Sequence, residues 1–430
     1  MTTQPKPRIV ILGAGLGGSI AAFEIKDALG SKAEIVVVNK GHTYQFTPSN
    51  PWVAVGWRRR EAIEVDLRPV FRKKGIGLYA EGAARVDPVR KVVRLTGGAD
   101  LSYDYLVIAT GPELAFDEIE GFGPHTGFTQ SVCQADHAEA ANAAFDALAA
   151  HPQPMVIGAA QGASCFGPAY EFAMIVDTEL RKRKARDRVP MTFVTSEPYI
   201  GHLGLDGVGD TRGLLESEMR NRHIKWIVNA RVGRVEKDRM FVEELSEDGA
   251  HKADHELPFG FCMMLPAFRG VEAVRGVEGL TNPRGFILID KHQRNPAFPS
   301  IYSLGVCTAI APTGKTAVPV GVPKTGFMIE SMVTAVTQNL KQELSGQAPT
   351  HEATWNAICL ADFGDGGVAF FAQPQIPPRN VNWSGSGRWV HLAKEAFEGY
   401  FLGKVRAGKS ELFFEKMALN MIGAHKLKGE

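Results

Sequence analysis

The sequence lacks several features that would assign a protein to a class at once. Its 430 residues contain no run of about 18 apolar residues, which excludes a transmembrane helix. The opening MTTQPKPRIVILGAG enters an apolar strand without the longer apolar region of a secretion signal, so we do not expect export by that signal. The formal net charge of +1 gives no reason to expect a nucleic acid as partner.

Cysteine is scarce, and it forms no metal-binding pattern. The five cysteines are an odd number spread over more than half the chain, without a CxxC pair or a His/Cys cluster. We therefore expect no metal site. For any one of these cysteines, the alternative to a chemical role is a buried, reduced thiol that behaves as a small hydrophobic residue.

The composition of the chain is ordinary, and the chain is long enough to form more than one hydrophobic core. Hydrophobic residues make up 44% of the chain and charged residues 22%, as in soluble globular proteins. A chain of 430 residues predicts two or three domains.

A complete βαβ unit opens the chain. The apolar strand RIVIL (8–12) leads into GAGLGG (13–18), where Gly13, Gly15 and Gly18 follow the GxGxxG frame before a helix and the strand AEIVVVN (33–39). A helix N-terminus that faces a pyrophosphate is typical of a dinucleotide site, and the alternative is a glycine-rich structural turn. Asn39 replaces the usual acidic residue, but its amide can still hydrogen-bond a ribose.

A second turn of this kind has lost its glycine pattern. VIGAAQGASCFGPAYEF (156–172) runs from an apolar strand through a bend into a helix, but its glycines do not follow GxGxxG, and Gln161 occupies the bend. Cys165 lies near the start of the helix, where the helix dipole favours a thiolate and lowers its pKa. We therefore expect a retained fold module that no longer binds a nicotinamide nucleotide, with Cys165 facing a flavin instead.

Long motifs in most of the chain resemble one family, the sulfide:quinone oxidoreductases. They are VILGAGLGG, SNPWVAVGW, YDYLVIATGP, GASCFGPAYE, TSEPYIGHLG, PKTGFMIESM, TWNAICLAD and GRWVHLAKEAF. The resemblance implies an α/β fold with two Rossmann-like domains and a C-terminal amphipathic-helix region that binds a membrane. It also implies FAD as cofactor, sulfide as substrate, ubiquinone or menaquinone as electron acceptor, and a polysulfide or zero-valent sulfur product.

The implied domains are discontinuous. Residues 1–118 and 291–345 are expected to form the FAD domain, 119–290 the second Rossmann-like domain and 346–430 the C-terminal region. Two further strands end in glycine, YDYLVIATGP (103–112) and SIYSLGV (300–306). In flavoproteins of the glutathione-reductase type, which this arrangement resembles, such segments contact the first nucleotide. The alternative is two ordinary parallel strands that end in glycine. The residues expected at the cofactor are Gly13, Ala14, Gly15, Gly17, Gly18, Asn39, Lys40, Thr110, Gly111, Gly305, Val306, Lys324 and Gly326.

The family's redox cysteines match three of the five here. The resemblance implies that Cys165 and Cys359 form the redox pair and that Cys133 is the third, loop cysteine. Cys262 and Cys307 lie in apolar strand contexts that match no cysteine motif of the family, so we expect buried thiols.

Four further side chains are candidates for proton and charge handling. Glu171 follows Cys165 on the same helix and could move protons, unless it is a surface carboxylate. His137 and His202 are the candidate titrating groups at neutral pH, with packed or capping histidines as the alternative. Lys324 could stabilise charge on a reduced flavin, or be a plain surface lysine.

The C-terminal tail has the pattern of a membrane-surface segment. Two amphipathic helices are predicted, over 388–406 and 410–422, and residues 384–430 carry a net charge of +3. The first presents a stripe of Trp389, Leu392, Ala393, Phe397, Tyr400 and Phe401. We expect a peripheral, monotopic membrane protein. Docking of these helices on the protein's own core, or a homo-oligomer, would also cover the stripe.

The quinone contacts are placed in this tail. Phe397 and Lys394 are our choices for quinone contact. Leu360 stands directly after Cys359, where an aromatic wall is expected in relatives, so Phe363 or Phe414 is a candidate substitute.

Three other functions remain open at this point. An NADH:quinone reductase of similar fold is disfavoured by the altered second turn, and the flavoprotein subunit of a flavocytochrome c sulfide dehydrogenase by the amphipathic tail. A non-enzymatic flavin-binding membrane protein is disfavoured by the placement of the cysteines.

Overall fold

The computed structural model describes residues 6–412, 415 and 423–429. Most of the predicted second tail helix, including Phe414, lies outside the described residues. The helices are α1 (Leu16–Leu29), α2 (Asn50–Ala54), α3 (Leu67–Lys74), α4 (Ala135–Ala150), α5 (Gly167–Lys182), α6 (Thr211–Asn221), α7 (Gly326–Leu344) and α8 (Trp389–Ala407).

Short strands supply the rest of the framework. They are β1 (Arg8–Leu12), β2 (Glu34–Val38), β3 (Thr43–Gln45), β4 (Glu64–Asp66), β5 (Gly77–Tyr79), β6 (Ala83–Asp87), β7 (Val92–Leu95), β8 (Asp100–Ser102), β9 (Tyr105–Ile108), β10 (Glu113–Leu114), β11 (Met155–Ala159), β12 (Met191–Thr195), β13 (Ile224–Ile227), β14 (Ala230–Glu236), β15 (Arg239–Leu245), β16 (His251–Pro258), β17 (Phe261–Leu265), β18 (Phe268–Arg269), β19 (Ile301–Ser303), β20 (Ala357–Asp362), β21 (Gly367–Gln373) and β22 (Val381–Ser386).

A parallel five-stranded sheet forms the first nucleotide-binding fold. Its strand order is β19-β9-β1-β2-β5, so the two glycine-ended strands predicted from the sequence lie beside the first strand. β1 is buried on both faces, as its continuous apolar sequence requires. Because the carboxyl ends of parallel strands share one edge, the loops after β1, β9 and β19 meet there.

A second parallel sheet repeats this plan. Its order is β13-β12-β11-β17, and every residue of β11 is buried. The strand β11, the bend and α5 form the altered turn predicted from 156–172. These two sheets confirm the α/β fold class.

The C-terminal region contains a sheet that the sequence analysis missed. β20, β21 and β22 form an antiparallel sheet in which Cys359 pairs with Phe370. Both α5 and α8 pack on β20. This sheet therefore brings the C-terminal cysteine to the helix that follows Cys165.

The stripe predicted on α8 is divided between the core and the surface. Phe401 is buried and stacks on Phe46 with ring centroids 5.8 Å apart, whereas Trp389 and Leu392 are exposed. The prediction of one continuous membrane-facing stripe was wrong, because helical periodicity does not say what covers an apolar face. Within the described residues no helix is long and apolar enough to cross a bilayer.

Candidate functional site

The GAGLGG turn is shaped for close approach of a phosphate. Gly13 has φ +107, and an added Cβ there would collide with the carbonyl oxygen of Ala109. A Cβ on Gly18 would collide with the carbonyl oxygen of Gly13. At Gly15, which caps α1, an added Cβ would meet nothing within 4 Å. The open space therefore lies at the helix N-terminus, where a pyrophosphate binds in this type of turn.

Two neighbours of this turn have structural tasks. Asn39 accepts a hydrogen bond from the Ala14 amide at 2.9 Å, and its own amide donates to the carbonyl oxygens of Lys40 and Gly41. These bonds hold the turn against the end of β2, and the role of Asn39 as a ribose ligand stays a prediction. A Cβ on Gly17 would press into the side chain of Leu304, so this glycine is needed for packing.

The other predicted cofactor segments converge on the same edge. Gly111 and Gly305 both have positive φ, +67 and +79, at the ends of β9 and β19. The Thr110 hydroxyl donates to the carbonyl oxygen of Gly111, and Val306 is half-buried beside Gly305. Both loops therefore begin at the sheet edge that carries the first turn, and their contact with the nucleotide stays a prediction.

The N-terminus of α7 completes the cradle. Gly326 is the first residue of α7, and the hydroxyl of Thr325 before it is buried with no hydrogen-bond partner among the described residues. Burial lowers the pKa of Lys324 to about 8, opposed by the charges of Cys307 and Cys165. An unpaired hydroxyl, a helix N-terminus and a nearby lysine fit a ring system that gains negative charge on reduction, such as a flavin.

The second turn is closed by the chain itself. The Gln161 side chain forms two hydrogen bonds with the backbone of Val232, at 2.9 and 3.0 Å. The Gly162 amide donates to Pro319 at 2.7 Å, and the Gly321 amide donates to Ala163 at 2.8 Å. The Gln161 side chain, the Gly162 amide and the Ala163 carbonyl are therefore engaged within the protein.

Three cysteines share one electrostatic environment beside this turn. Cys133, Cys165 and Cys359 are half-buried, whereas Cys262 and Cys307 are buried, as expected for those two. Burial, with smaller contributions from the charges of Cys359 and Cys133, raises the pKa of Cys165 to about 12. The predicted fall in the pKa of Cys165 was wrong: loss of hydration outweighs the helix N-terminus.

A buried ion pair stands next to the cysteines. Lys394 Nζ donates to Glu171 Oε2 at 3.0 Å and to the carbonyl oxygen of Leu360 at 3.4 Å. The lysine lowers the pKa of both Cys165 and Cys359, whereas Glu171 raises both. Glu171 is thus a buried partner of the site and not a surface carboxylate.

The proton affinity of Glu171 is set by its surroundings. Burial raises its pKa to about 7, Lys394 lowers it, and Asp362 raises it. Asp362 is buried, accepts from Trp52 Nε1 at 2.8 Å and lies 2.9 Å from His391 Nδ1. Sequence reasoning missed Asp362; its only signal was its position at the end of the strand that carries Cys359.

The two candidate histidines lie in other surroundings. His202 is buried in its loop, where its Nδ1 accepts from the Gly204 amide at 3.2 Å. The ring of His137 contacts His125 and Phe116. Burial lowers the pKa of both His137 and His202, so each is neutral at pH 7. Their catalytic roles stay predictions.

The two quinone candidates on α8 have different contacts. Phe397 is half-buried and lies near α7, because its ring would be 3.7 Å from a Cβ added at Gly326. Lys394, three residues earlier on the helix, is paired with Glu171. Phe363, one candidate for the aromatic wall, is buried beneath Arg222 and was a wrong choice.

Similarity to known proteins decides the family. Residues 7–338 match the family model described as pyridine nucleotide-disulphide oxidoreductase. The sulfide-quinone reductase of Aquifex aeolicus (strain VF5) is 40% identical over 415 residues, which are 96% of this chain and 94% of that protein. The chain belongs to the pyridine nucleotide-disulphide oxidoreductases and, within them, to the sulfide-quinone reductases.

Solved structures agree with this family. The crystal structure of the sulfide:quinone oxidoreductase from Aquifex aeolicus has a TM-score of 0.93 and 40% identity, covering 99% of this chain and 98% of that one. NDH2 of Plasmodium falciparum, solved in complex with NADH, has a TM-score of 0.71 at 14% identity over 99% of this chain and 100% of that one, which shows the shared fold alone. The resemblance drawn from the sequence motifs is confirmed.

Proposed function

We propose that Cys165 and Cys359 carry out the sulfide chemistry of this chain, with Cys133 assisting. The activity is that of an FAD-dependent sulfide-quinone reductase, supported by the near-complete match to that family. The observation that carries the assignment of residues is the shared electrostatic environment of the three half-buried cysteines, beside a nucleotide turn that the chain itself closes.

The cysteine pair supplies an electrophile for hydrosulfide. Hydrosulfide attacks one sulfur of the disulfide or sulfur-bridged pair, so that one S–S bond forms, another breaks, and a persulfide and a thiolate result. When the bond between the two cysteines forms again, two electrons leave the sulfur atoms. Bound FAD would accept them. The sulfur atom stays behind in the zero-valent state, and further attack lengthens a polysulfide chain.

Lys394 and Glu171 suit the charge and proton changes of this step. The Lys394 ammonium stabilises a thiolate on either Cys165 or Cys359, since it lowers the pKa of both. The carboxylate of Glu171 takes the proton that hydrosulfide releases, because its pKa of about 7 makes both protonation states accessible near neutral pH.

Sulfide, and not NADH, is expected to bleach the flavin of the purified protein. Each donor is mixed anaerobically with the yellow protein, and flavin absorbance is followed by stopped flow. Complete photoreduction of the same sample defines full bleaching. Faster bleaching by NADH than by sulfide would contradict the assignment and favour an NADH:quinone reductase.

The quinone is placed at Phe397. Its half-buried ring lies 6.2 Å from that of Phe46 and next to the N-terminus of α7, where the flavin cradle ends. An aromatic wall at this point offers stacking to a planar quinone ring. In this proposal Lys394 serves the cysteines and not the quinone, because its ammonium is paired with Glu171.

The membrane contact is placed on an exposed aromatic patch at the start of α8. The patch consists of Trp383, Trp389 and Leu392, which are 48%, 47% and 66% exposed, and the two indole rings are 6.4 Å apart. Exposed tryptophan beside leucine suits the boundary between headgroups and acyl chains. Truncating the chain before Arg388 would also remove the buried face of α8 and so disturb the fold. Point substitutions are therefore needed to test membrane binding.

The double variant Trp389→Ser/Leu392→Ser should lose membrane binding. We expect at least about a tenfold drop in partitioning, since burial of each such side chain contributes about 1.5–3 kcal/mol. Flotation with anionic phospholipid vesicles measures it, and bleaching by sulfide should be unchanged. Val89→Ser, at another exposed apolar residue, is the control. Equal flotation of the double variant and the wild type would place the membrane contact elsewhere.

A further inference from the structure

We infer that His125, Asp136 and His137 form a binding site for a divalent cation of the zinc type. One ligand atom from each residue lies within 4.8 Å of the others, and this is the one such cluster in the described part of the chain. The two imidazole Nε2 atoms are 3.1 Å apart, and the ring planes meet at 67°. Two rings and a carboxylate therefore converge on one point.

The spacing agrees with the geometry of a bound metal ion. Zinc binds histidine nitrogen at about 2.0–2.1 Å in tetrahedral sites, which places two nitrogen ligands roughly 3.3 Å apart. The two Nε2 atoms, 3.1 Å apart, need only a small adjustment to receive the ion. Two histidines and one carboxylate leave the fourth position for water, and these ligand types select zinc and similar ions over magnesium or calcium.

The fold holds the ligand side chains in position. His137 is buried near the start of α4. An edge contact with Phe116, at 5.8 Å between centroids, fixes the ring orientation. Asp136 is in the first turn of α4, and His125 comes from the preceding loop, so the ion would join the loop to the helix.

The alternative is that the two imidazoles form a hydrogen bond and bind no metal ion. Measuring the affinity of the site for zinc distinguishes this alternative from a metal site. The holoenzyme is treated with a chelator and dialysed against buffered zinc, and bound metal is counted by mass spectrometry. We expect one zinc ion in the wild type. His125→Ala should weaken binding at least about tenfold, since loss of an outer-shell partner alone costs about 10–100-fold.

Two further variants and one spectroscopic measurement serve as controls for this test. Asp136→Asn should also weaken binding, and it decides the result if His125→Ala loses FAD. His151→Ala removes an exposed histidine just beyond the other end of α4 and should bind zinc as the wild type does. Zinc-edge X-ray absorption should report nitrogen and oxygen ligands. Wild-type affinity in the His125→Ala and Asp136→Asn variants, or sulfur ligation that assigns the ion to the cysteines, would overturn the inference.

Discussion

Replacing Cys165 with serine is expected to abolish rapid reduction of the flavin by sulfide while FAD stays bound. Serine cannot form the S–S bond that hydrosulfide attacks, so the loss should reach about a thousandfold or more, as for removal of other covalent catalytic groups. Anaerobic stopped-flow bleaching measures the rate, and the ratio of flavin to protein absorbance checks the FAD content. Cys359→Ser should behave in the same way.

The other cysteines provide matched controls for this prediction. Cys262 is buried in β17, so Cys262→Ser should change stability more than rate. Cys133→Ser should lower turnover less than the loss of either redox cysteine, because a third thiol assists sulfur transfer without being part of the pair. A Cys165→Ser protein that bleaches as fast as the wild type would refute the mechanism.

The environment of Cys165 shows why its pKa was misjudged from the sequence. The sequence shows the start of a helix, which favours a thiolate, but it does not show the loss of hydration of Cys165 in the folded chain. In the folded chain burial dominates, and Lys394 lowers the pKa only in part. Lys394 is far from Cys165 in sequence, so no local pattern could have revealed its effect.

Local motifs predicted the first nucleotide turn well. The collision that Gly18 avoids is with the Gly13 carbonyl of the same turn, and the strand, turn and helix that create it are consecutive in the sequence, whereas the collision at Gly13 is with Ala109 after β9. The strand, bend and helix of the second turn were also predicted from consecutive residues. Short-range geometry is therefore readable from residue types alone.

Features that depend on long-range packing were not readable. The sequence analysis predicted no strands after Cys359, yet the chain there forms β21, which pairs with β20, and β22, which pairs with β21, and β20 packs on α5. Likewise, His125 and His137 are twelve positions apart with no metal-binding spacing, and only the approach of the loop to α4 brings them together. The helical stripe on α8 was visible, but its division between core and surface was not.

Gly15→Val should give a folded protein that is colourless. The backbone of Gly15 has φ −70 and ψ −164, which a residue with a side chain adopts without strain, and an added Cβ meets no protein atom within 4 Å. The chain itself therefore tolerates valine at this position. The open space is where the pyrophosphate of FAD must approach the backbone of α1, so the side chain should exclude the cofactor.

The absorbance ratio of flavin to protein measures this effect, and circular dichroism reports the fold. We expect less than about a tenth of the wild-type FAD content and a lower midpoint of thermal unfolding, because a bound ligand stabilises the native state. Gly403→Val, on α8 where an added Cβ also meets nothing, should stay yellow. Gly18→Val should fail to fold, since its Cβ would collide with the Gly13 carbonyl. A fully yellow Gly15→Val protein would show that the pyrophosphate binds elsewhere.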